Sequence, residues 1–302
     1  MQFREAASAF IRHCASIRKL SPHTIRAYEL DLERFSQFLG RRAAVAACDR
    51  VVIQNYVRHL FDVRSLKEAS VKRHLATLRS LFHWLEEEDG DPIDDPFRGA
   101  RIRIRMPKRL PRVIARADLR RLLRDGARDV PQTFSDLTAY IATELLFATG
   151  MRVSELAGLL DRAVDLDDGT ITIIGKGNRQ RRVFVPEEIK AMLTDYRVVR
   201  DRSARDAETF LVNSRGAAAS PQMIRRLVRI HGERCDVRDR VTPHMFRHSV
   251  ATYLLEEGVD IRYVQRLLGH RSISTTEIYT HVADAALKVR ITERHPRRTI
   301  VV

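Results

Sequence analysis

The chain has 302 residues, 44% of them hydrophobic, which is enough for two domains with substantial cores. Its 54 Lys and Arg against 39 Asp and Glu leave a formal charge of +15, and a surplus of that size points to a polyanion, most commonly nucleic acid. No run of 18 apolar residues is present, the N-terminus lacks a signal-peptide apolar core, and Cys14, Cys48 and Cys235 are too few and scattered for a disulfide framework; a membrane span and a disulfide scaffold are therefore excluded, and a reducing cytoplasm is expected.

Residues 1–97 read as all-helical. Ser21-Pro22 starts a helix whose Ile25, Tyr28, Leu32, Phe35 and Leu39 keep the three-to-four spacing of an amphipathic face as far as Gly40. A second helix is predicted around Val51 to Leu60. A third starts at Ser70, with Val71, Leu75, Leu78, Phe82 and Leu85 on one face and Lys72, Arg73, His74 and Arg79 elsewhere on the cylinder. A bundle that is apolar inside and basic outside is suited to gripping phosphates, although a solvated Lys/Arg face has the same appearance.

From Asp89 to Val113 periodicity breaks, with four prolines and six arginines. Residues 98–112 read as a basic, Pro-rich linker, and Arg101, Arg103 and Arg105, alternating with Ile, suit an extended strap along a nucleic-acid backbone. A second domain then spans 113–302. It opens with a helix near Asp118 to Leu123 and a longer one from about Leu137 to Ala148, stopped by Gly150. Arg152 follows that stop, and Ser154-Glu155 can begin the next helix. An arginine buried there needs partners, for which Glu155 is a candidate.

Val164 to Leu166 and Thr170 to Ile174, joined by Asp-Asp-Gly, read as a hairpin; Gly175 to Asn178 turns into a third strand from Arg181 to Val185. The Gly-Lys-Gly of that turn is not a nucleotide loop, because the GxxxxGK[ST] pattern is absent. Helices around Glu187 to Val199 and Pro221 to Arg234 follow.

The stretch Thr242 to Val282 reads as three helices. Thr242 can cap and Pro243 can open the first, which runs to Gly258; Asp260 can cap the second, which stops at Gly269; Ser274 and Glu277 have capping-box spacing for the third. His244 and Arg247 share a helical face, His270 follows a helix stop, and Tyr279 lies in the last helix. Two imidazoles, a guanidinium and a phenol near helix ends suit a phosphate better than a core. His244 and His248 at i, i+4 also suit a metal, but Met245 stands where a zinc protease has Glu, so no metal site is assigned.

This stretch, through HMFRH, LLGH and TTEIYTHV, resembles the catalytic half of the tyrosine site-specific recombinases, the Xer group above all. Upstream, TGMRVSELAGL, GKGN and SPHTIRAYELDLERFSQFL continue the resemblance over most of the chain. It implies a fold that is mainly α with a small antiparallel β-sheet: a helical core-DNA-binding domain over 1–97, and an α+β catalytic domain with a C-terminal tail that docks on a neighbouring protomer. It also implies catalytic roles for Arg152, Lys176, His244, Arg247, His270 and Tyr279, the last as nucleophile, with Glu155 supporting and Lys72, Arg73, Arg79 and the linker arginines on DNA. No metal or nucleotide cofactor is implied. The implied partners are double-stranded DNA and three further protomers, in a homo-tetramer or a hetero-tetramer with a second recombinase. The competing readings are a non-catalytic DNA-binding accessory protein of the same fold and a type IB topoisomerase. The full set of six residues speaks against the first, and the N-domain and tail against the second.

Overall fold

Phe3, Ala6, Phe10 and Cys14 recur at helical spacing and form the buried side of α1 (Phe3–Ser16), a helix without a Ser, Thr, Asp or Asn cap to announce it. The computed structural model describes residues 1–88, 95–98, 102, 104–105, 112–125, 133–175, 180–204 and 207–269. Ser21 caps α2 (Pro22–Leu39), its hydroxyl accepting from the Thr24 amide at 3.2 Å, with Pro22 at the first helical position and Gly40 ending the helix. Asp49 does the same for α3 (Arg50–Asp62), accepting from the Val52 amide at 2.7 Å, and α4 covers Glu68–Glu88. These helices enclose an aromatic core in which Phe35 meets Phe3 and Tyr56 edge-on at centroid distances of 5.0 and 4.8 Å. Ile102 and Ile104 pack partly buried against the same core, and the first compact unit extends from Met1 to Lys108.

One expectation for this unit is corrected. His74 is not on the basic outer face but fully buried, because its ring closes a polar network inside the bundle. Nδ1 lies 3.1 Å from the Tyr56 hydroxyl and Nε2 lies 3.3 Å from Asp31 Oδ1, while Thr77 donates to Asp31 Oδ2 at 3.0 Å. Burial, reinforced by the charges of Arg73 and Arg34, pushes the His74 pKa down to about 4, so the ring is neutral at pH 7.

The second unit, Arg109–Val302, is built around one helix. After the short α5 (Arg116–Arg120), which widens into a π turn over Arg121–Asp125, Thr133 caps α6 (Phe134–Thr149). Most of α6 is buried, and its Thr138, Thr143 and Thr149 hydroxyls return to carbonyls four residues back at 2.9, 2.9 and 2.6 Å, so the helix carries polar side chains through the core without leaving them unpaired. Around it lie α7 (Val153–Ala157), the antiparallel sheet β1 (Val164–Asp165), β2 (Thr170–Ile174) and β3 (Gln180–Phe184), then α8 (Glu187–Ala204) and α9 (Pro221–Arg234). Register pairs Val164 and Val183 with Ile171, which aligns their buried side chains on the core face. The chain continues through α10 (Pro243–Glu256) and α11 (Ile261–Leu268). Asp260 caps α11 as expected, accepting from the Arg262 amide at 2.7 Å, whereas Thr242 holds the cap position of α10 without using its hydroxyl, so Pro243 alone marks that start.

Candidate active site

Gly150 stops α6 with φ +61°, a conformation that favours glycine, and a Cβ there would stand 2.5 Å from Leu268 Cδ2. The turn it makes delivers Arg152 to the N-cap position of α7. Glu155, one turn into α7, reaches back and accepts from the Arg152 amide at 2.8 Å and from the Arg152 guanidinium at 3.0 Å. Arg152 was expected to be buried, but its side chain is 41% exposed; the buried member of the pair is Glu155, at 6%. A backbone cap thus fixes the base of Arg152, and a carboxylate steers its head, while the guanidinium keeps an open side.

Arg247 approaches the same turn from α10. It is 7% exposed, and donates to the Gly150 carbonyl at 2.7 Å and to the Leu268 carbonyl at 2.5 Å. One buried cation therefore joins the end of α6 to the end of α11 through two backbone carbonyls. His244, one turn earlier on α10, is exposed as a residue, yet its ring is partly shielded; that shielding, followed by the positive charges of Arg225, Arg247 and Arg152, lowers its pKa. The imidazole is neutral at pH 7 and flanked by cations, and a neutral imidazole can either accept or donate a proton.

Glu155 has a second cationic partner. Arg181, on β3, donates to its Oε1 at 3.0 Å and its Oε2 at 2.7 Å. Burial alone would raise the Glu155 pKa, but the Arg181 hydrogen bonds, the Arg152 amide and the two positive charges outweigh it, and the carboxyl titrates below its usual range. Bracketed by two arginines, the carboxylate is ionised at pH 7 and orients Arg152 there.

Two family models match the chain: "Phage integrase family" over residues 113–286 and "Phage integrase, N-terminal SAM-like domain" over 7–89. The chain is 34% identical over 312 residues to Tyrosine recombinase XerD of Bradyrhizobium diazoefficiens, covering 95% of each chain. It is 32% identical over 299 residues to Tyrosine recombinase XerC of Halalkalibacterium halodurans, covering 96% of this chain and 97% of that one. The chain belongs to the phage integrase family, as a tyrosine recombinase of the Xer kind. Its fold is also that of the XerH site-specific recombinase bound to palindromic difH substrate in a post-cleavage complex, with a TM-score of 0.75 at 22% identity over 95% of this chain and 85% of that one.

Of the residues expected to act in this recombinase, Arg152, Glu155, His244 and Arg247 come together around the Gly150 turn. Lys176, His270 and Tyr279, together with Arg101 and Arg103, lie outside the described residues. In the N-terminal unit, Lys72 is exposed, as is Arg105 in the basic stretch. Arg73 is exposed but paired with buried Asp31 at 2.9 Å, and Arg79 lies over the Phe97 ring at 5.1 Å, so each has an intramolecular partner besides any phosphate. Sequence reasoning passed over Arg181. Its signal was an arginine in step with Val183 on a two-residue period, hence on the inward side of β3. Among the described residues, no helix is long and apolar enough to cross a membrane.

Proposed function

We propose that Arg152 and Arg247 hold the scissile phosphate of duplex DNA while Tyr279 attacks it. A phenol with a pKa near 10 is only ~0.1% ionised at pH 7, so the attack needs electrophilic help. The two guanidiniums supply it by stabilising the charge that builds on the non-bridging oxygens. The Tyr279 oxygen forms the new bond to phosphorus and the bond to the 5′ oxygen breaks. His244 and His270 assist the phenol's proton transfer, and Lys176 gives a proton to the departing 5′-hydroxyl. The 3′-phosphotyrosine keeps the phosphodiester energy, and attack by a different 5′-hydroxyl reverses the step on a new partner strand. What carries this reading is one cluster: a buried arginine and a half-exposed, carboxylate-steered arginine on either side of a single glycine turn, with a neutral histidine beside them.

Exchange of two duplexes takes four such cleavages, so the working assembly is a tetramer on two DNA sites, of this chain alone or with a second recombinase. An apolar groove of about 790 Å³, lined by residues such as Leu123, Phe147, Phe184, Val250 and Leu254, supports the docking of a neighbour's tail on this unit. Lys72, Arg73, Arg79, Arg101, Arg103 and Arg105 are assigned to the DNA backbone, and the reaction to the cytoplasm. The same chemistry serves resolution of joined chromosomes and integration or excision of a mobile element.

The test is a plasmid carrying two direct copies of a duplex recovered by binding selection from a random library. Site-specific recombination releases two circles. Relaxation without exchange would indicate a topoisomerase, and tight binding with no change in the plasmid an accessory DNA-binding protein.

A further inference from the structure

We propose that Arg181 is a positioning residue for strand cleavage, setting the phosphate-binding Arg152 through Glu155 and fixing that pair to the end of α11. The inference rests on the assignment of Arg152 to the phosphate and adds a part to it.

Arg181 is 13% exposed on the inward side of β3, and each of its nitrogens is engaged. Nη1 and Nη2 make a bidentate pair with the two Glu155 oxygens, and Nε donates to the Leu267 carbonyl at 2.9 Å. The same two oxygens receive Arg152, Oε2 from its amide and Oε1 from its guanidinium. Glu155 is thus shared by two arginines with different tasks. Arg181 is shielded and spent on protein acceptors; Arg152, 41% exposed, is the one with room for a phosphate.

The contact at Leu267 widens the role. Leu267 and Leu268 are the last residues of α11, and their carbonyls are taken by different arginines, Arg181 from β3 and Arg247 from α10. At the next residue, Gly269, a Cβ would stand 3.2 Å from the Arg181 Cδ and Nη1, so the chain leaves α11 against the Arg181 side chain. One guanidinium therefore anchors the Arg152–Glu155 pair to the third strand and to the last turn of α11. A group held in this way needs no rearrangement when charge develops on the phosphate. Lysine cannot replace it, since a single ammonium cannot span both carboxylate oxygens and a carbonyl in one plane.

Single-turnover cleavage of a nicked suicide duplex at saturating enzyme tests this, with duplex affinity and thermal melting measured on the same proteins. Arg181→Met is expected to lower the cleavage rate by about 10- to 100-fold with little change in affinity, since misplacing a catalytic group acts on the chemical step. Arg181→Lys should fall between it and wild type. The deciding comparison is with Arg152→Ala: the double variant Arg181→Met/Arg152→Ala should cleave within about twofold of Arg152→Ala alone, because both changes act through one group. Losses that multiply would overturn the proposal and leave Arg181 a stabiliser of the fold. So would a wild-type rate for Arg181→Met, or for Arg181→Lys if the methionine variant does not fold. Wild-type cleavage by Arg152→Ala would instead remove the site reading itself, which separates the two failures.

Discussion

Arg152 and Arg247 meet at the same glycine turn, and burial separates what their removal does. Arg247→Ala takes away a buried donor from the Gly150 and Leu268 carbonyls and is expected to cost about 1–3 kcal/mol of stability. Arg152→Ala removes a half-exposed partner from a carboxylate that still holds Arg181, so about 0.5–1 kcal/mol or less is expected. Both should lower single-turnover cleavage on the order of 10²- to 10³-fold. Thermal melts beside cleavage rates check this; an Arg152→Ala protein less stable than Arg247→Ala would contradict it. At this scale the sequence is informative about which side chains take part and poor about how they are held. The motif around Arg152 and the His-x-x-Arg step are legible because spacing along a helix fixes which residues share a face. That Glu155, not Arg152, is the buried partner depends on β3 arriving from 26 residues away, which no local pattern encodes. The burial of His74 has a related cause: its neighbours on α4 are basic, but Tyr56 and Asp31 meet its ring from other helices.

Elements were most legible where chemistry punctuates them. Ser21-Pro22, Asp260 and Gly269 mark real helix ends because each satisfies or terminates backbone groups locally. Where no Gly or Pro intervenes, boundaries drift: α8 continues five residues past Val199 to Ala204, and α4 begins two residues before Ser70. Helix α6 shows what burial does to an element with few charges. Its Glu144 lies in the core, and burial, only partly offset by a hydrogen bond with Tyr140, pushes its pKa up to about 7. Between the unfolded value of 4.5 and about 7 the folded protein holds a proton that the unfolded chain releases, so this group's contribution to stability falls as pH rises through that window. Glu144→Gln removes the dependence. The variant should be more stable than wild type at pH 8 by something on the order of 2–3 kcal/mol, with the gain shrinking towards pH 4.5. Denaturant melts of both proteins at pH 5 and pH 8 measure it; a difference that does not change with pH would count against a buried, reluctant carboxylate.

For the whole molecule, a charge of +15 and two compact units suit a protein that holds a polyanion, and the family supplies the reaction. The alternating Arg-Ile stretch is a case where composition gave half the answer: the arginines suit a backbone strap, but Ile102 and Ile104 serve the N-terminal core. The central claim is that this chain becomes covalently joined to DNA through Tyr279. Nicked duplexes obtained by binding selection, incubated with wild type and with Tyr279→Phe, run on a denaturing gel and digested to identify the peptide that carries DNA, test it most directly. The expected result is a wild-type adduct on the peptide containing Tyr279 and none with Tyr279→Phe. An adduct that survives the substitution, or no adduct on a duplex that both proteins bind tightly, would contradict the account.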